Sequence, residues 1–165
     1  MSDQNSQQDQ QRKVRDLIKS TRLAMLTSVD PDGRLVSKPM ATQDVEFSGE
    51  VWFISERDSA KVRNIMRNPN VNVAYASHDS WVSLSGTAEV VDDLAKLTEL
   101  WNTFTDAWLE GGPENPSNIL IKVSADSAEY WDTPGSKVTQ VANLVKAKVT
   151  GKTFDAENER VDLQG

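Results

Sequence analysis

The chain has 165 residues with a formal net charge of −7, and 38% of its residues are hydrophobic, which suits one domain with tails and allows a packed core. That acidity argues against nonspecific nucleic-acid binding, because phosphates are repelled on average. The absence of cysteine excludes disulfides, thiol catalysis and thiolate metal sites, and a single histidine, His78, excludes a histidine-cluster metal site.

The opening MSDQNSQQDQQ is polar and glutamine-rich without apolar periodicity, which predicts a disordered tail over residues 1–10. It has neither the basic nor the apolar region of a signal peptide. No later run approaches the ~20 apolar residues of a membrane span, so a cytoplasmic protein without membrane contact is expected. Helix is predicted from near Asp9, with Val14, Leu17 and Ile18 at helical spacing. RLAMLTSV (22–29) reads as a strand, DPDG (30–33) as a turn and RLVSKPM (34–40) as the return strand, with Pro39 marking an edge, bulge or end. DVEF (44–47) and VWFIS (51–55) flank Ser48-Gly49 and predict a second hairpin. Asp58 is the predicted N-cap of a helix whose inner face is Val62, Ile65 and Met66, ended by NPN (68–70).

VNVAYA (71–76) and WVSLSGTAEVV (81–91) read as strands. Asp92 is predicted to cap one long helix carrying Leu94, Leu97, Trp101, Phe104 and Trp108, followed by the loop EGGPENPS (110–117). NILIKV (118–123) and SAEYWD (127–132) are predicted as two further strands, with a helix over roughly 138–148 and a polar tail after it. The domain therefore spans 11–150, and residues 151–165 pack on it or extend from it. Hairpins dominate and βαβ units are scarce. This predicts a mostly antiparallel sheet closed into a barrel with helices at its ends.

Few segments carry chemistry. TGKT (150–153) looks like the end of a phosphate-binding loop, but that motif's first glycine would fall on Lys146, and a helix precedes it where a strand is required. His78 beside Asp79 reads as a solvated loop histidine, and Asp155, Glu157, Glu159 and Asp162 as a solvated acidic tail. FISERDSAK (53–61) is different, because it places Ser55, Arg57, Ser59 and Lys61 between a strand and a helix start. Free amides and the helix dipole favour an anion there. Ser59 can donate through hydroxyl and amide, and Lys61 supplies a point charge. An N-capped surface helix with solvated charges explains the same residues equally well, so composition alone leaves both readings open.

Four segments in order, SKPM (37–40), FISERDSAK (53–61), WVSLSGTAEVVDD (81–93) and EYWD (129–132), resemble the FMN-binding split-barrel superfamily of pyridoxamine 5'-phosphate oxidase, in its general stress protein 26-like branch. The resemblance covers about residues 14–163. It implies a mostly β, α+β fold, a Greek-key-like antiparallel split barrel with flanking helices, assembled as a homodimer with FMN sites at the interface. Lys38, Pro39 and Met40 would lie along the flavin ring and offer backbone hydrogen bonds. Ile54 and Ser55 would approach the ribityl-phosphate, and Ser59 and Lys61 would hold the phosphate. Trp81 and Trp131 would approach FMN from the second subunit.

The chain departs from that pattern in two places. Lys38 stands where many relatives carry arginine, which loses the planar guanidinium fork. YWDTPGSKV (130–138) lacks the Arg-Leu-His segment with which pyridoxamine-phosphate oxidases grip substrate phosphate, which argues against vitamin B6 oxidation. A deazaflavin would suit the same phosphate cradle, while His78 in a loop gives no support to a haem ligand. The implied function is a flavin-dependent oxidoreductase with NAD(P)H or another small-molecule donor, or alternatively a flavin-binding stress protein that stores or senses the cofactor without turnover.

Overall fold

Asp30 sets the first hairpin of the computed structural model, which describes residues 2–43, 47–133 and 157–163. Its carboxylate accepts hydrogen bonds from the amides of Asp32 and Arg34, both at 2.9 Å. Gly33 closes the turn at φ 79°, a conformation without steric cost only for glycine. The turn joins β1 (Leu23–Val29) to β2 (Leu35–Ala41), paired antiparallel with Met25 opposite Pro39 and Leu26 opposite Lys38.

The remaining elements are α1 (Ser2–Lys19), β3 (Glu50–Glu56), α2 (Ala60–Arg67), β4 (Asn70–Ala76), β5 (Ser80–Val91), α3 (Leu94–Leu100), α4 (Thr103–Trp108), β6 (Asn118–Asp132) and β7 (Glu157–Asp162). The strands form one antiparallel sheet in the order β2-β1-β4-β5-β6-β3, with β7 also on β6. The predicted closure is corrected: β2 and β3 end the path and approach each other without backbone pairing, so the barrel is split. One face of the sheet buries Leu26, Phe53, Val73, Tyr75, Leu84 and Ile121 against Val14 and Ile18 of α1 and Val62 and Ile65 of α2. A smaller core of Ile54, Leu97, Leu100 and Leu120 sits under α3.

Several boundaries differ from the sequence expectation. Helix α1 starts at Ser2 rather than near Asp9. Glutamine is a good helix former, and Gln7 and Gln10 reach the Asp162 carbonyl and the Glu159 carboxylate of β7, each at 3.5 Å. The predicted partner strand of β3 falls partly on residues 44–46, outside the described residues, and β3 pairs with β6 instead. Ser59, not Asp58, is the N-cap of α2. Met66 is 74% exposed, and the buried polar residue beside Val62 and Ile65 is Asn64, which donates to the Ser28 hydroxyl at 3.3 Å. That bond ties α2 to β1.

The predicted long helix is two short ones. Asp93 caps α3, and Asn102 caps α4 by accepting from the Thr105 amide at 3.0 Å. The two strands predicted over 118–132 are one. Gly86 faces Ala125 and Ser85 faces Ser127, so Asp126 is an extra residue in a bulge, which bends a strand without ending it. Glu159 and Asp162 of the supposed solvated tail lie in β7, on the second half of β6, while β3 pairs its first half. The predicted helix at 138–148 and the TGKT segment lie outside the described residues.

Candidate functional site

The segment between β3 and α2 is held in place by Arg57, one of the two cations of FISERDSAK. Arg57 turns away from the helix start: its Nε donates to the Pro116 carbonyl at 2.9 Å and its guanidinium pairs with Asp92 at 3.0 Å. The backbone is fixed with it, through a 2.7 Å bond from the Arg57 amide to the Ser117 carbonyl. Beyond the anchored turn, Ser59 caps α2 and Lys61 lies in its first turn.

Two hydroxyls meet there. Ser55 is 2% exposed at the inner end of β3, and its Oγ lies 3.2 Å from Ser59 Oγ. Ser59 Oγ also accepts from the Val62 amide at 3.4 Å as the helix cap. The Ser59 amide is committed to the Glu56 carbonyl at 3.1 Å, so it is not the anion donor that the sequence suggested. Among the described residues the amides of Ala60 and Lys61 have no backbone acceptor, as the first turn of a helix requires.

Lys61 is half-buried at this helix start. Burial holds its ammonium below the ordinary lysine range, Glu56 opposes that shift, and the like charge of Lys38 reinforces it. That charge reaches Lys61 from β2, 23 positions earlier in the sequence. The start of α2 thus gathers two hydroxyls in contact, two amides without a backbone acceptor and the half-buried Lys61, with Lys38 acting on that ammonium as a like charge. A phosphate monoester, with nearly two negative charges and three acceptor oxygens, matches that donor set.

The other predicted residues are distributed differently. Met40 is buried in the main core, and Pro39 is exposed on β2, whose outer edge is unpaired among the described residues. Ile54 points into the smaller core, on the opposite face of β3 from Ser55, so only its backbone runs beside the cradle. Trp81 and Trp131 face each other across β5 and β6, Trp81 being 42% exposed. They lie on the sheet's outer face, and one chain does not bring them to Ser59 and Lys61. His78 is exposed, and among the described residues no acidic or histidine cluster could hold a metal. No described helix is long and apolar enough to cross a membrane.

A family model described as "Pyridoxamine 5'-phosphate oxidase like" matches residues 9–155. The chain belongs to the pyridoxamine 5'-phosphate oxidase-like family. A candidate general stress protein 26 from Jannaschia sp. CCS1 superposes with a TM-score of 0.77 at 27% identity, over 93% of this chain and 98% of that one. A general stress FMN/FAD binding protein from Xanthomonas citri gives 0.67 at 31% identity, over 78% and 92%. Protein bli-3 of Neurospora crassa is 28% identical over 155 residues, 85% of this chain and 74% of the relative. The fold is therefore the split barrel of the pyridoxamine 5'-phosphate oxidase-like general stress proteins, as the ordered motifs implied.

Proposed function

We propose that this member of the pyridoxamine 5'-phosphate oxidase-like family binds FMN and acts as a flavin-dependent oxidoreductase of the general stress type. The observation that carries the reading is the Ser55–Ser59 hydroxyl pair at the start of α2, beside the half-buried Lys61 on which Lys38 acts as a like charge. The flavin-binding relative from Xanthomonas citri supports the choice of ligand. In this reading Lys61, Lys38, the Ser59 hydroxyl and the Ala60 and Lys61 amides hold the phosphate. The unpaired edge of β2 at Lys38–Met40 offers carbonyls and amides to orient the ring. A second copy of the chain places Trp81 and Trp131 over it and excludes water.

FMN supplies hydride chemistry at N5 of its ring, with NAD(P)H or another small molecule as electron donor. The side chains of the cradle are hydroxyls and ammonium groups suited to phosphate binding, and this favours a second reading: storage or sensing of FMN without rapid turnover.

The deciding experiment is the visible spectrum of the protein loaded with FMN, followed by anaerobic mixing with NADH and NADPH. Bleaching within seconds supports the oxidoreductase. A bound flavin that stays oxidised supports storage or sensing. Failure to bind FMN at micromolar concentration removes both. Pyridoxine 5'-phosphate is expected to remain unconverted, because the substrate grip is missing; pyridoxal phosphate forming in proportion to added protein would overturn that exclusion.

A further inference from the structure

Arg57 stands two residues before Ser59, yet its contacts lead away from the start of α2. Its amide donates to the Ser117 carbonyl at 2.7 Å and its Nε to the Pro116 carbonyl at 2.9 Å, so main chain and side chain grip consecutive residues of one loop. Nη2 adds Asp92, just past the end of β5, at 3.0 Å. The register of β3 on β6 ends with Glu56 opposite Asn118. The Arg57 contacts therefore carry the attachment one residue beyond the last strand pair, to the point where the chain turns into α2.

The loop that receives Arg57 is itself fixed. Buried Asn118 donates through Nδ2 to the carbonyls of Glu110 at 3.1 Å and Gly112 at 2.8 Å. Asn115 Nδ2 donates to the Glu110 carbonyl at 3.0 Å, and Asn115 Oδ1 accepts from the Ser117 amide at 3.0 Å. The turn on the other side of Arg57 has weaker holds of its own. One backbone bond closes it, from the Ser59 amide to the Glu56 carbonyl at 3.1 Å. The Val62 amide reaches Ser59 Oγ at 3.4 Å, beyond the usual hydrogen-bond range. Arg63 donates to the Asp58 carbonyl, which ties the turn to its own helix. Asn64 ties the body of that helix to β1, and the turn at its start is left to Arg57. Its ion pair with exposed Asp92 contributes little, so the two loop carbonyls are what fix position.

We propose that Arg57 is a positioning residue of the anion site: by pinning the turn to Pro116 and Ser117 it sets where Ser59 Oγ and the Ala60 and Lys61 amides meet a phosphate, without touching the phosphate itself. A binding group has to be held within about 0.5 Å of its productive place by the residues behind it. The proposal rests on the flavin reading and adds to it a residue on which the preference for FMN over riboflavin depends.

The test is flavin-fluorescence titration of FMN and riboflavin into the parent chain, Arg57→Ala, Arg57→Lys, Lys61→Ala and the double variant Arg57→Ala with Lys61→Ala, with thermal melts to establish folding. Arg57→Ala should weaken FMN about tenfold, as loss of a supporting residue behind a site does, and leave riboflavin nearly unchanged. Arg57→Lys keeps the charge but lacks the planar fork that spans Pro116 and Asp92, so it should recover little of that affinity. Its loss of FMN affinity stands as the test if the alanine variant fails to fold. The double variant should lose less than the sum of the two single losses, because Arg57 acts through groups that include Lys61. Unchanged FMN affinity in Arg57→Ala, an equal loss for riboflavin, or additive losses overturn the proposal. So does full recovery in Arg57→Lys, which would make Arg57 a charge on the phosphate rather than a support behind it. A parent chain that binds no FMN removes the flavin reading and this inference with it, whereas one that binds FMN regardless of Arg57 removes this inference alone.

Discussion

Lys61 concentrates the chemistry of the proposed cofactor site in one side chain. Its contact with a phosphate would be a charge-assisted hydrogen bond worth roughly 1.5–3 kcal/mol. Lys61→Ala is therefore expected to weaken FMN binding by about one to two powers of ten while leaving riboflavin nearly unchanged. Flavin-fluorescence titration of both ligands checks this, and equal losses would remove Lys61 from the phosphate. The pH dependence follows from the direction of its shift. Burial first, and then Lys38, hold the Lys61 ammonium below 10.5, so the cation is lost at lower pH than in the unfolded chain. FMN affinity should fall as pH rises through that lowered value, with riboflavin affinity flat. The stability of the ligand-free protein should move the other way. The unfolded chain binds the extra proton between the lowered value and 10.5, so the Lys61 contribution rises with pH across that window. At this scale Ser59 and Lys61 were legible because nine contiguous residues carry them. The approach of Lys38 and the diversion of Arg57 to Asp92 and Pro116 were not, since each needs a partner tens of residues away.

Helix α2 makes Ser59 serve twice, as helix cap and as cradle hydroxyl, which lets the two roles be separated. Ser59→Ala should destabilise the protein by about 1 kcal/mol through the lost cap. Ser59→Asp should keep the cap and the stability, yet its charge should repel the phosphate and abolish most FMN affinity. Thermal melts beside FMN titrations distinguish them; an aspartate variant that still binds FMN well would place the phosphate elsewhere. The β5–β6 bulge has its own weak point. A Cβ on Gly86 would sit 2.0 Å from the Ser124 carbonyl oxygen, a backbone atom that cannot swing aside. Gly86→Ala should cost about 3 kcal/mol or more, or prevent folding, as severe strain at a special position does. A melting temperature equal to that of the parent chain would show that the two strands can separate there. Local signals served the elements well where one residue sets the geometry, as Asp30 and Gly33 do. They failed where a distant partner decides: β6 stays continuous because its one-residue bulge at Asp126 leaves both halves paired with β5, and α3 and α4 separate because Asn102 caps the second helix against Thr105. The spacing of Asn102 and Thr105 was the available sign of that break.

Among the described residues, the outer face of the sheet is covered by α3 over β3 and β6 but exposed over β1, β2 and β5. The helices α1 and α2 bury the inner face, while Leu23, Met25, Leu35 and Trp81 are exposed by 42% to 75% of their surface on the other. The register makes these one surface. Met25 lies between Pro39 and Ala74, Leu23 is opposite Ala41, and Ala76 is opposite Trp81, itself opposite Trp131. A contiguous apolar face of this kind marks an interaction site more often than a free surface. A second copy of the chain is the occupant that also completes the proposed cofactor site, because Pro39 on the ring-bearing strand and the two tryptophans share this face but have at least β1 and β4 between them within one chain. We therefore expect light scattering to give twice the 18.3 kDa chain mass at micromolar concentration. Met25→Glu places a charge at the centre of the face without touching the inner core or the phosphate cradle. It should yield a folded monomer, and FMN affinity should drop about tenfold or more with the loss of the partner's aromatic contribution. Riboflavin should weaken as much as FMN, in contrast to Lys61→Ala, because the partner covers the ring and not the phosphate. A monomeric Met25→Glu protein that keeps full FMN affinity would show that one chain holds the flavin alone, and Trp81 and Trp131 would then have no part in the site.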